Sequence, residues 1–351
     1  MKVLVTGGGG FLGQAIVRLS QARGCTVRSF SRHEHPALRA LGVEQQQGDL
    51  ADAEAVASAV AGCDMVFHVA AKPGLWGPYS EYHRINVTGT ENVLAACRQH
   101  RVGRLIYTSS PSVVFDGRDM EGVDESVPYP AHFEAHYPQT KALAEQLVLR
   151  ANDARLATVA LRPHLIWGPG DNHLLPRLVA RARAGQLRRI GWERKLIDTI
   201  HVENAAEAHW LAAERLTPGC LVERASSLFG PEGTGRKHCS TNPVAGKAYF
   251  ISQGEPKEVW EMINSLLQAA GAPRVVRTIP KRVALLLAWG LETLHRVTRN
   301  PCEPRLTRFV VKELCTSHWF NLAAARRDLG YAPKVSIADG LRRLELELRP
   351  A

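Results

Sequence analysis

Short apolar runs alternate with amphipathic stretches through the first half of the chain. Val3-Leu4-Val5 is a β-branched-rich run that reads as a buried parallel strand, followed by a helical pattern from Phe11. Thr26–Ser31, Asp64–Val69, Arg104–Ser109 and Leu156–Leu161 read as further strands. Between them, Asn86 to His100 carries Val87, Val93, Leu94 and Cys97 at helical spacing, and Tyr137 to Leu149 forms another helix. Strand–helix alternation at this spacing predicts an α/β fold with a doubly wound parallel sheet and right-handed crossovers. Ligands of such sheets sit beyond the carboxyl ends of the strands. Residues 1–165 are expected to form mainly the nucleotide-binding domain, with later segments adding to its sheet. Residues 166–351 then form mainly a smaller substrate lobe, with an insertion at 217–246 rich in Gly, Ser, Thr and Pro.

The candidate chemistry falls at those strand ends. After Thr6 come four glycines, and Gly7, Gly10 and Gly13 form G-x-x-G-x-x-G around Phe11 and Leu12. A strand, a glycine turn and a helix N-terminus make an anion site, where backbone N–H groups and the helix dipole face a pyrophosphate. The sheet is therefore expected to be Rossmann-type and to bind a dinucleotide. At the end of the second strand, where a carboxylate would hold the ribose 2′-hydroxyl of NAD, the chain has Ser31 and Arg32. Arginine can hold a 2′-phosphate with forked, charge-assisted bonds, which predicts NADP(H). Asp49 and Leu50, after the next strand, stand where they could reach the adenine.

In Tyr137-Pro-Gln-Thr-Lys141 the phenol and the ammonium lie four residues apart, on one helix face. A tyrosine titrates near pH ~10 in water; the neighbouring Lys141 ammonium and a nicotinamide cation both favour the phenolate and are expected to lower that value. Tyr137 then serves as general acid or base toward a carbonyl or alcohol oxygen. Lys141 tunes it and reaches the nicotinamide ribose. In Thr108-Ser-Ser-Pro-Ser112, Ser110 is the candidate for holding the substrate oxygen, with Ser109 or Ser112 in its place otherwise.

Composition narrows the setting. The 351 residues are 45% hydrophobic and carry a net charge of +10. The basic residues are not interleaved with aromatics, which argues against nucleic acid. Seven cysteines with no C-x-x-C argue for reduced thiols and a cytoplasmic location. Cys220, His238 and Cys239 fit no usual zinc spacing, and no metal is expected. The first strand leaves no room for a signal peptide. The run Val283–Leu291 is too short to span a bilayer.

Together, Thr6–Gly13, Thr108–Ser110, Tyr137–Lys141 and Arg162-Pro-His-Leu-Ile-Trp-Gly-Pro-Gly-Asp171 resemble the extended short-chain dehydrogenase/reductases, and more narrowly their 3β-hydroxysteroid dehydrogenase branch. The resemblance implies that Tyr137 donates or accepts the proton, Lys141 assists it and Ser110 anchors the carbonyl. It places Ala70, Ala71 and Lys72 along the cofactor, and Pro163 and Ile166 beside the nicotinamide amide. It gives Asn86 a structural role and implies a homodimer formed through the helices near 86–100 and 137–150. Ser110–Gly117 and Leu161–Asp171 are similar to segments of enzymes that reduce the 3-keto group of long-chain 2-alkyl-3-oxoalkanoates with NADPH in olefin biosynthesis. Sterol-4α-carboxylate 3-dehydrogenases are the alternative. A nucleotide-sugar epimerase shares the same motifs, whereas the intact Ser110, Tyr137 and Lys141 argue against a non-catalytic NADP-sensing regulator that keeps the fold. A hydrophobic small-molecule substrate fits the aromatic loop holding Trp76 and Tyr79. It also fits the basic-edged apolar helix Arg282–Val297, which could touch a membrane surface or another enzyme of the same pathway.

Overall fold

The computed structural model describes residues 1–217 and 243–348. Residues 218–242, which hold most of the expected insertion with Cys220, His238 and Cys239, lie outside them.

Seven strands form the central sheet: β1 (Lys2–Thr6), β2 (Thr26–Ser31), β3 (Glu44–Gln47), β4 (Met65–His68), β5 (Arg104–Thr108), β6 (Ala157–Pro163) and β7 (Lys247–Ile251). Their order is β3-β2-β1-β4-β5-β6-β7, with every neighbouring pair parallel. The winding direction reverses between β1 and β4, the point at which sheets of this kind place a ligand beyond their carboxyl ends. Helices α1 (Phe11–Ala22) and α5 (Val202–Arg215) pack together on one face. Helices α2 (Ala53–Val60), α3 (Gly89–Gln99) and α4 (His136–Arg150) pack on the other. This double cover explains why β1 is apolar without alternation: Val3 and Val5 enter the core under α1 and α5, while Leu4 enters the core under α2, α3 and α4.

The expected helix 86–100 differs at its start. The helical path begins at Tyr79, passes through a wide π-turn over His83–Thr88, and only then enters α3. Within that turn Asn86 is buried, and its amide bonds outward from the helix. Its Oδ1 accepts from the Lys72 N–H at 2.7 Å, and its Nδ2 donates to Thr140 Oγ1 at 3.1 Å. The structural role of Asn86 is thus to tie the loop after β4 to α4.

The second lobe gathers around Trp167, Trp260 and Leu267, between the helices Leu174–Arg183, Val259–Ala269 and Ile337–Leu348. Its four-stranded sheet runs Lys257–Glu258, Leu196–Ile197, His318–Phe320, Met120–Val123. The chain passes between lobes twice out of sequence order: Met120–Val123 joins the smaller sheet, and β7 returns to the central one.

Four buried histidines are held neutral. Burial pulls His68 and His318 down to about 3, and His164 and His209 down to about 4. Each has a hydrogen-bonded partner, as in His209, whose Nε2 meets Thr108 Oγ1 at 2.8 Å. In the unfolded chain these rings take up protons near pH ~6.5. The folded state does so only at much lower pH, so protons bind preferentially to the unfolded chain as pH falls through that window. Their full stabilising contribution is therefore present above about pH 6.5 and is lost toward pH 4. Urea midpoints measured from pH 7.5 downward should fall below about pH 6.5, with each histidine costing on the order of 1 kcal/mol per pH unit.

Candidate active site

The glycine loop lies at the switch point. Gly7 adopts φ +69°, which favours glycine, and its N–H donates to the Phe30 carbonyl at 2.8 Å. Gly13 is needed for a different reason: a Cβ there would meet the Gly7 carbonyl oxygen at 2.1 Å. Gly10 stands at the N-cap of α1 with no side-chain cap, and no acidic residue occupies the first turn at Phe11, Leu12 and Gly13. The positive helix end and its open N–H groups therefore face the loop, and a cradle that no side chain fits suits a pyrophosphate.

The expected adenosine-end residues lie at and after the ends of β2 and β3. Arg32 is exposed, and its charge helps hold Asp49 below the usual carboxylate range. Burial alone would raise Asp49, but the Ala51 N–H and the Arg84 guanidinium outweigh it. The Ser31 hydroxyl donates to the His33 carbonyl, and Leu50 packs under Gly89. His35, which the sequence reading missed, lays its ring where a side chain on Gly9 would be, with its backbone clamped by the Gln45 amide. Its signal was the polar stretch Arg32-His33-Glu34-His35 after β2, whose placement depends on that clamp.

After β4, the Ala70 backbone abuts Gly7, and Ala71 is half-buried beside it. The Lys72 ammonium turns to Glu81 at 2.5 Å. At the end of β6, Pro163 pairs with Ile251 and Ile166 pairs with Ile200. Between them Leu165 sits at φ +43°, 38% exposed. A leucine in the left-handed region beside a strand end is a strained position that no sequence signal announced.

Tyr137 enters from the first turn of α4, where Pro138 costs no helix bond. Burial pushes its phenol up to about 12; the Ser110 side chain beside it acts the other way, and Glu313 adds to the rise. The expected lowering by Lys141 is therefore not what the fold produces. Lys141 is itself buried, donates to the Thr108 carbonyl at 2.6 Å and lies 4.1 Å over the Tyr107 ring. Burial pulls its ammonium down to about 7 against the pull of Glu145, so it supplies less charge than an exposed lysine would. Ser110 caps the turn Pro111–Val114 and shares a 2.9 Å bond with Ser112 Oγ, while the Ser109 hydroxyl is buried without a partner. Ser110 is thus the serine of the three that the fold sets beside the phenol. Glu313, on the helix Arg308–Leu314, was missed as well; burial raises its carboxyl to about 8, leaving it protonated at neutral pH. Trp76 packs edge-on to His295 and donates to the Asn300 carbonyl, while Tyr79 contacts His136.

One turn below Lys141, Glu145 accepts from Arg162 at 2.6 and 3.0 Å, both residues being out of water, and from the hydroxyl of the half-buried Tyr129 at 2.6 Å.

A dinucleotide cradle facing a tyrosine, serine and lysine at one strand end defines a nicotinamide-dependent oxidoreductase of the short-chain type. The model of the 3-beta hydroxysteroid dehydrogenase/isomerase family matches residues 4–281, and the chain belongs to that family. It is 52% identical to a 2-alkyl-3-oxoalkanoate reductase of Stenotrophomonas maltophilia, over 98% of each chain. A protein of that name from Shewanella oneidensis is 45% identical over 98% of this chain and 85% of its own length. Among solved structures, that of gox2253 superposes with a TM-score of 0.74 at 26% identity, over 99% of this chain and 97% of that one. The UDP-glucose 4-epimerase of Thermus thermophilus shares the fold at a TM-score of 0.69 and 23% identity, covering all of both chains.

Removing Glu145 would strand a buried guanidinium. Glu145→Ala should lower unfolding stability by about 3–5 kcal/mol in urea titrations. Glu145→Ala combined with Arg162→Met should recover part of that loss.

Proposed function

We propose that the chain reduces the 3-keto group of a long-chain 2-alkyl-3-oxoalkanoate to the 3-hydroxy acid, with NADPH, as a step of olefin biosynthesis. The observation that carries this reading is the 52% identity, over 98% of both chains, to a 2-alkyl-3-oxoalkanoate reductase. The seating of Ser110 and Tyr137 supports it.

The nicotinamide supplies a hydride when bound. Gly7, Gly10 and Gly13 would hold the dinucleotide's pyrophosphate, and Ala70 and Ala71 after β4 with Pro163 and Ile166 at and after the end of β6 would flank the remainder. Ser110 donates a hydrogen bond to the ketone oxygen. Tyr137, protonated throughout the neutral range, gives its proton to that oxygen as negative charge builds there. A phenol held near 12 suits the reductive direction, in which the site needs an acid. Lys141, one turn further along the same helix and with its ammonium near 7, is the group we assign to return a proton to the phenolate left behind. Arg32, at the end of β2, selects the 2′-phosphate of NADPH.

The deciding assay follows NADPH and NADH consumption with a 2-alkyl-3-oxo acid beside a 3-ketosteroid. Turnover of the oxo acid with NADPH is expected, and preference for the steroid would overturn the reading. A nucleotide-sugar epimerase would show no net cofactor consumption. Tyr137→Phe should reduce kcat by about two to four orders of magnitude while NADPH still binds. In Arg32→Ala, NADPH affinity should fall by about tenfold or more, with NADH affinity nearly unchanged.

A further inference from the structure

The helix Lys281–Val297 carries two apolar faces. One, with Ala284 and Ala288 fully buried, packs into the second lobe's core. The opposite one is in water. Val283, Leu286, Leu287, Leu294 and Val297 recur at helical spacing along it, with Leu286 67% and Val297 77% exposed. Trp289, 54% exposed, stands at the edge of this stripe. Single exposed leucines are ordinary, but a stripe along about 21 Å of helix marks a contact surface.

Charge identifies what that surface meets. From Arg274 to Arg308 the chain holds eight basic residues and two acidic ones. Both acids are engaged: Glu292 accepts from Arg308 at 2.8 Å, and Glu303 from Arg177 at 3.1 Å. Lys281 and Arg282 at one end of the helix and Arg296 and Arg299 at the other are exposed. No helix among the described residues is long and apolar enough to cross a bilayer. An apolar stripe with a tryptophan at its edge and basic ends fits the interface of an anionic membrane, lying in its plane.

We propose that this face docks on the surface of an anionic lipid bilayer. The docked helix borders the catalytic lobe, because Trp76, in the loop after β4, packs on His295 and donates to the Asn300 carbonyl. From there the chain runs directly into the helix Arg308–Leu314, which carries Glu313 beside Tyr137. A membrane-held, apolar substrate would therefore meet the site from the docked side.

The test is co-sedimentation of the purified full chain with phosphatidylcholine vesicles, plain or containing about 30% phosphatidylglycerol, at about 0.1 M salt. Binding to the anionic vesicles should exceed binding to the neutral ones by about tenfold or more and should weaken at high salt. The double variant Leu286→Glu, Leu294→Glu should lose that binding while keeping the circular dichroism, NADPH affinity and short-chain ketone turnover of the parent. Trp289 emission should shift to the blue on anionic vesicles, and the shift should be absent in Trp289→Phe. Failure to bind either vesicle, or equal binding to both, overturns the proposal. So does a dimer that the double variant dissociates, because a second copy would then own the face. Binding is read without turnover, so these outcomes are independent of which ketone the enzyme reduces.

Discussion

One buried chain of hydrogen bonds holds both halves of the site in register. The Thr6 hydroxyl, at the end of β1, accepts from the Val69 and Ala70 N–H groups and donates to His68 Nδ1 at 2.8 Å. His68 Nε2 then donates to Thr90 Oγ1 at 3.0 Å, and Thr90 donates to the Asn86 carbonyl. Asn86 finally reaches Thr140 on α4. This order works only while the ring is neutral, with its proton on Nε2. A protonated ring would set two donors against one another, and burial makes that state costly. The glycine loop, the segment after β4 and the tyrosine helix are thus positioned by a single network that must be complete to be stable.

The same helix is anchored a second time below the chemistry. Glu145 locks α4 to Arg162 on β6, and its negative charge supports the ammonium of Lys141 one turn above. Burying the pair is expensive, and Tyr129 supplies a further bond to the carboxylate, while Arg162 Nη1 is left buried without a partner. Tyr137 and Lys141 are therefore fixed by groups that never touch a substrate. The strain at Leu165 is tolerated for the same reason, since the paired residues on either side leave it no alternative backbone path.

Most of the central sheet was legible in the residues, because β1, β4, β5 and β6 are covered on both faces and show unbroken apolar runs. The glycine spacing and the Tyr137–Lys141 pair were legible too, since both motifs work through local geometry: a turn, a helix start, one helical face. His68, Glu145, His35 and Glu313 were not legible as site components. Their partners lie on other elements, and nothing in a single segment records a contact that only packing creates.

Local sequence thus determined where a dinucleotide is cradled and which side chains share a face above it, because φ angles and helical periodicity are properties of neighbouring residues. The tertiary structure decided the electrostatics. A lysine four residues from a tyrosine suggests a lowered phenol pKa. Burial instead raises the phenol and weakens the ammonium, because withdrawing both from water disfavours their charged forms. It also decided which apolar face of the helix Lys281–Val297 remains uncovered, since packing claims one stripe and leaves the other to the solvent.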